Sequence, residues 1–114
     1  MTDHYKAITK DISHHIGKLR QAIPDVMSGF SAMAQGATKD GALDKKTKEL
    51  IALALGVAAR CDGCIGFHTQ ALAKLGATEE EVTETLGMAI YMGGGPSLMY
   101  AAQAIKAFTE AMSE

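Results

Sequence analysis

Leu50-Ile-Ala-Leu-Ala-Leu-Gly-Val-Ala-Ala59 is a run of ten apolar residues between Glu49 and Arg60. It is too short to cross a bilayer, which takes about 20. Wound as a helix it is apolar on every face, so it predicts a helix buried on all sides. The rest of the composition agrees with close-packed helices. Nineteen residues are Ala, aromatics are only 5% and Trp is absent, which disfavours a sheet of β-branched and aromatic side chains. At 114 residues and 12.0 kDa there is room for one domain, 1–114. With 47% apolar residues and a net charge of −2, disorder is excluded.

Outward from this run the chain reads as six helices and no strand: an all-α, single-domain bundle. Upstream, Asp44 caps the helix that contains the run. Gly36 to Gly41 reads as a loop on its turn composition. Pro24 ends a first helix and opens a second. The first begins near Asp3 and carries Tyr5, Ile8, Ile12, Ile16, Leu19 and Ile23 at helical spacing. The second carries Val26, Met27, Phe30 and Met33.

Downstream, a fourth helix runs from about Asp62 to Gly76, with Ile65, His68, Leu72 and Leu75 on one face. Thr78 and Glu81 form a capping box for a fifth, which turns Val82, Leu86, Ala89 and Ile90 inward. Gly93-Gly94-Gly95-Pro96 is a hard break, and Pro96 suits the first turn of a sixth helix reaching about Met112. Leu98 to Phe108 is nearly as apolar all round as the third helix. A six-helix monomer has little interior for two such helices, so subunit contacts are expected to cover them.

Charge excludes several partners. Eleven basic residues against 13 acidic ones, with a pI near 6.1, leave no basic stripe for a phosphate backbone, so nucleic acid is not expected. Met1-Thr-Asp-His-Tyr-Lys is polar and lacks the apolar core of an export signal. The expectation is a cytoplasmic protein without a membrane partner, in a compartment where two close cysteines are reactive or metal-binding.

The chemistry falls in residues 49 to 68. Cys61-Asp62-Gly63-Cys64 sits where one helix ends and the next begins, which sets at least one sulfur near helix N-terminal N–H groups that favour thiolate. Two intervening residues let the sulfurs close into a reducible disulfide. His68 follows Cys64 by four residues, on the same helical face, where it can take the thiol proton. Zinc is an alternative, because Cys-x-x-Cys-x-x-x-His offers three ligands; structural zinc takes four, and no second cluster follows. A thioredoxin-type fold needs a βαβ unit that the chain lacks. No cofactor and no metal are expected.

Glu49, eleven residues, Cys61, two residues, Cys64, three residues, His68 resembles the signature of the alkylhydroperoxidase D-like group of the carboxymuconolactone decarboxylase superfamily. The resemblance extends through residues 71–78 (Ala-Leu-Ala-Lys-Leu-Gly-Ala-Thr) to Gly93-Gly94-Gly95-Pro96 and covers about residues 43–108. It implies an all-helical fold, trimeric or hexameric assembly, and a dithiol peroxidase. By the same resemblance Cys64 is the thiol oxidised by peroxide, Cys61 the resolving thiol, and His68 with Glu49 a proton relay. The implied partners are a peroxide and a thiol or dithiol reductant, such as a lipoyl- or thioredoxin-like protein. Well-studied members often carry a further His just before the second cysteine; this chain has Gly63. Two other classes fit the scaffold: a lyase acting on a lactone without redox thiols, and a non-catalytic oligomer whose dithiol senses oxidants.

Glu49 poses a geometric problem. In one straight helix it would lie about 18 Å from Cys61, at 1.5 Å per residue. It reaches His68 only if the fourth helix folds back steeply, if Gly56 kinks the third, or if another subunit supplies it. Otherwise it is a solvent-facing carboxylate beside Lys45, Lys46 and Lys48. The remaining features read as structural: His14-His15 as surface histidines, the glycine run as a turn, and the methionines Met27, Met33, Met88, Met92 and Met99 as core filling.

Overall fold

Six helices follow one another: α1 (His4–Ala22), α2 (Pro24–Thr38), α3 (Lys45–Ala58), α4 (Asp62–Lys74), α5 (Glu79–Gly93) and α6 (Gly95–Met112). The structure, a computed structural model, describes residues 4–113. The expected start of α1 near Asp3 lies outside them. Most ends follow local chemistry. Asp44 Oδ1 accepts from the Thr47 N–H at 2.8 Å and opens α3. At α5, Thr78 Oγ1 accepts from the Glu81 N–H (3.1 Å) and Glu81 Oε1 from the Thr78 N–H (2.9 Å), the reciprocal pair expected. Pro24 and Pro96 stand in the first turns of α2 and α6.

One boundary differs. The loop expected at 36–41 begins three residues later, because Gly36, Ala37 and Thr38 complete α2. Thr38 bonds back to the Ala34 carbonyl at 2.8 Å, and the helix stops where Lys39 turns extended (φ −64°, ψ 145°).

The core lies among α3, α4, α5 and α6, with α1 laid against α4. Leu53 and Val57 of α3, Ile65 and Leu72 of α4, Val82 and Leu86 of α5, and Ala104 and Phe108 of α6 are buried together. α6 brings alanines to this seam, which lets its backbone approach α4 and α5 closely. The first and last helices are tied by the Tyr5 N–H, which donates to Glu110 Oε1 at 2.8 Å. Both residues are buried. The carboxylate thereby caps α1 from 105 residues away, a partner no local pattern announces.

Two expectations about apolar residues need correction. No side chain of α2 is buried, and Val26, Phe30 and Met33 stand open to solvent. Met88, Met92 and Met99 are likewise exposed in the single chain, so they do not fill its core. The helices that read as apolar all round are each half covered: Leu53 and Val57 face in, while Leu55 is 65% exposed. On α6, Ala101 and Ala104 face in, while Leu98 and Met99 face out. Among the described residues, no helix is long and apolar enough to cross a membrane.

Candidate active site

The site is built on the turn between α3 and α4. After Ala59 the chain passes through Arg60 in the left-handed region (φ 58°). The Cys61 N–H then returns to the Gly56 carbonyl and the Arg60 N–H to the Val57 carbonyl, each at 3.0 Å. This paired 6→1 and 5→2 closure reverses the chain within three residues. Cys61 is both the residue that completes that closure and the N-cap of α4. Its Sγ accepts from the Cys64 N–H at 3.1 Å. The sulfur held at the helix N-terminus is therefore that of Cys61.

Cys61 and Cys64 form a disulfide, with Cα atoms 5.2 Å apart. Both residues are half-buried. α4 lies close along α3 at this level because residue 56 is glycine: a Cβ there would stand 2.9 Å from the Cys64 Cβ. Gly66, two residues after Cys64, does the same toward α1, where a Cβ would meet Thr9 Cγ2 at 2.5 Å. α4 is thus clamped on two flanks by glycine contacts, and the close approach to α3 is what Gly56 supplies. From sequence Gly56 reads only as a possible kink in the apolar run; the contact it permits depends on where α4 returns.

The fold-back resolves the problem of Glu49. Its Oε1 lies 2.6 Å from His68 Nδ1. The Glu49 side chain is 7% exposed and that of His68 31%. Of the three routes to His68, the steep return of α4 is the one the chain takes. Glu49 is not the solvent-facing carboxylate that its lysine neighbours suggest; it is the buried end of the pair. Because a carboxylate only accepts, Nδ1 is the donor in this contact, and the Nε2 edge of the ring is not the one that meets Glu49. His68 stands one helical turn beyond Cys64 on the same face of α4. The Glu49 carboxylate is thus bonded to an imidazole that shares its helical face with Cys64.

Other candidates fall elsewhere. His15 Nδ1 is 2.9 Å from the Asp11 carbonyl, and His14 and His15 are both exposed. Among the described residues no three His, Cys, Asp or Glu side chains converge as a metal site. Gly94 (φ 74°, ψ −151°) takes a conformation closed to other residues, and the Cβ position of Gly93 is filled by Ser97, so the glycine run is a packed break. A cavity of about 640 Å³ lies on another flank of α4, lined by residues such as Lys6, Lys10, Phe67 and Gln70. None of the four site residues lines it.

Comparison with known proteins gives a consistent result. An uncharacterized protein of Cupriavidus necator is 44% identical over 108 residues, 95% of this chain and 96% of its own length. The crystal structure of an apo carboxymuconolactone decarboxylase family protein from Legionella pneumophila superposes with a TM-score of 0.95 at 65% identity, over 96% of this chain and 98% of that one. A family protein from Thermotoga maritima, described in connection with an antioxidative response, gives 0.80 at 26% identity over 90% and 87%. The profile of the carboxymuconolactone decarboxylase family itself matches residues 24–107, which include the turn, both cysteines, Glu49 and His68. With a fold related to the alkylhydroperoxidase D-like proteins and a closely spaced cysteine pair suited to redox chemistry, the chain belongs to the carboxymuconolactone decarboxylase family.

Proposed function

We propose that this chain is a thiol-dependent peroxidase that cycles between a Cys61/Cys64 dithiol and its disulfide. The observation that carries the reading is the 2.6 Å contact between buried Glu49 and His68, one turn from Cys64. A lactone lyase has no use for a closable cysteine pair. The Thermotoga relative's connection with an antioxidative response points the same way.

In the reduced protein His68 Nε2 takes the Cys64 thiol proton, while Glu49 orients the ring and stabilises its cation. The Cys64 thiolate attacks the terminal peroxide oxygen and the O–O bond breaks. The alkoxide leaves as an alcohol with the proton held by His68, and Cys64 becomes a sulfenic acid. The Cys61 thiolate then attacks the Cys64 sulfur. An S–S bond forms and hydroxide leaves as water, with the proton released from Cys61. A dithiol donor, such as a lipoyl- or thioredoxin-like protein, returns both thiols by exchange and is itself oxidised. Per turnover, peroxide and a dithiol give alcohol, water and a disulfide.

The working form is a trimer or hexamer in the cytoplasm, in which neighbouring subunits cover the open sides of α3 and α6. The test is peroxide consumption with a dithiol donor. Cys64→Ser abolishes it, while Cys61→Ser permits one oxidation without dithiol turnover. Equal residual turnover in both variants refutes the assigned roles, turnover of a lactone acid without peroxide consumption identifies a lyase, and oxidation without turnover identifies a sensor.

A further inference from the structure

The turn that delivers Cys61 occurs twice in this chain. At the end of α4 the Ala77 N–H returns to the Leu72 carbonyl (3.0 Å) and the Gly76 N–H to the Ala73 carbonyl (3.2 Å). That is the same 6→1 and 5→2 closure as at the end of α3. The two turns differ in the residue at the left-handed position. Gly76 takes φ 78° with no Cβ to strain it, whereas Arg60 takes φ 58° with a full side chain. A non-glycine residue there costs roughly 1–2 kcal/mol. Nothing inside the fold accounts for the arginine: it is exposed, and its side chain makes no hydrogen bond or ion pair among the described residues. It stands instead directly before Cys61, whose sulfur already accepts the Cys64 N–H at the N-terminus of α4.

We propose that Arg60 is a positioning residue for the redox pair: its uncommitted charge, held at the strained turn, favours the thiolate of Cys61 in the reduced protein. The inference rests on the peroxidase reading for its purpose, because the Cys61 thiolate is what attacks the Cys64 sulfenic acid. Consecutive Cα atoms are about 3.8 Å apart, so chain adjacency keeps the Arg60 charge beside Cys61, at a separation comparable with the Debye length of roughly 8 Å. The two thiols are then activated by different means. The helix N-terminus and Arg60 serve Cys61, and His68 with Glu49 serves Cys64. A resolving thiol held as thiolate closes the disulfide before a second peroxide carries Cys64 on to sulfinic acid.

The test uses the full chain, reduced and carrying Cys64→Ser so that Cys61 alone reports. The pH dependence of Cys61 alkylation by iodoacetamide is compared in Arg60→Lys, Arg60→Gln and Arg60→Gly. Lysine keeps the charge and the strain, glutamine keeps only the strain, and glycine keeps neither. The expected result is a midpoint raised by roughly half a pH unit in the glutamine and glycine variants, with about a threefold loss of thiolate below the midpoint. In Arg60→Lys the midpoint stays where it was. High salt should shrink the difference. An unchanged midpoint in Arg60→Gln, a shift in Arg60→Gly alone, or a shift of equal size in Arg60→Lys overturns the proposal. Alkylation needs no peroxide, so failure of the peroxidase reading leaves this measurement intact and the two are judged separately. With Cys64 restored, Arg60→Gln should also accumulate more sulfinic acid under excess peroxide, read by mass spectrometry.

Discussion

Gly56→Ala adds one methyl group at the tightest point between α3 and α4. Its Cβ would sit 2.9 Å from the Cys64 Cβ, an atom rigidly attached to the backbone of α4. Carbon atoms pack best at roughly 3.5–4.0 Å, so the helices must part by about 0.6–1 Å at this level. Overpacking of this kind costs about 1–3 kcal/mol. Alanine returns about 0.8–1 kcal/mol through helix propensity, and a control isolates that gain. Gly87 lies within α5, and a methyl group added to it would meet nothing within 4 Å, so Gly87→Ala takes the propensity gain alone. The difference between the two variants is therefore the overpacking, about 1–3 kcal/mol, or roughly 4–12 °C in Tm for a domain near this size. The same parting stretches the 2.6 Å Glu49–His68 contact toward the limit of a hydrogen bond, so peroxide turnover should fall as well. Circular-dichroism melts at equal concentration and oligomeric mass measure the first effect. Two variants melting within about 1 °C of each other would refute the claim that Gly56 sets the approach of the redox helix.

Three further outcomes are expected. Glu49→Gln and His68→Asn should each lower peroxide turnover by roughly 10² to 10⁴, and the double variant should lose little more than either, because residues acting as a unit are not additive; steady-state rates with a dithiol donor check this, and additive losses would break the relay. Light scattering at micromolar concentration should return a trimer or hexamer, given the apolar sides that α3 and α6 leave open; a 12.0 kDa monomer would contradict the burial argument. Glu81 is held below its ordinary value of 4.5 by Lys46 Nζ at 2.8 Å and by the Thr78 N–H. A carboxylate depressed in the folded state stabilises above its unfolded pKa and loses that contribution as pH falls through the folded one, so melts of Glu81→Gln should show a flatter decline below pH 4.5 than the unaltered chain.

What is legible in the sequence is what local chemistry decides. The Asp44 cap, the Thr78–Glu81 box and the two prolines act within four residues, and each helix start they mark is where the structure has it. The end of α2 is not legible, because Gly36 costs a helix only about 1 kcal/mol and Thr38 finds a carbonyl one turn back. The two reversals separate in the same way: Gly76 advertises its turn, while Arg60 takes a conformation its type disfavours, so from sequence the steep return of α4 is only one of three options for Glu49. The four candidate site residues all stand out by spacing and resemblance. Which sulfur sits at the helix N-terminus, and that Glu49 is buried, depend on that return. Glu110 reaches Tyr5 across 105 residues and leaves no periodic trace.

The absence of buried side chains in α2 has a consequence for amide hydrogen exchange. Local opening costs little where few apolar contacts must be broken, so in an isolated subunit the α2 amides exchange well before those of α4, which is enclosed by α1, α3 and α6. Any assembly that seats Val26, Phe30 and Met33 against another surface slows that exchange, and slows it in one identifiable stretch of chain. Deuterium uptake at residues 24–38, followed against protein concentration, then reports where subunits meet as well as whether they do.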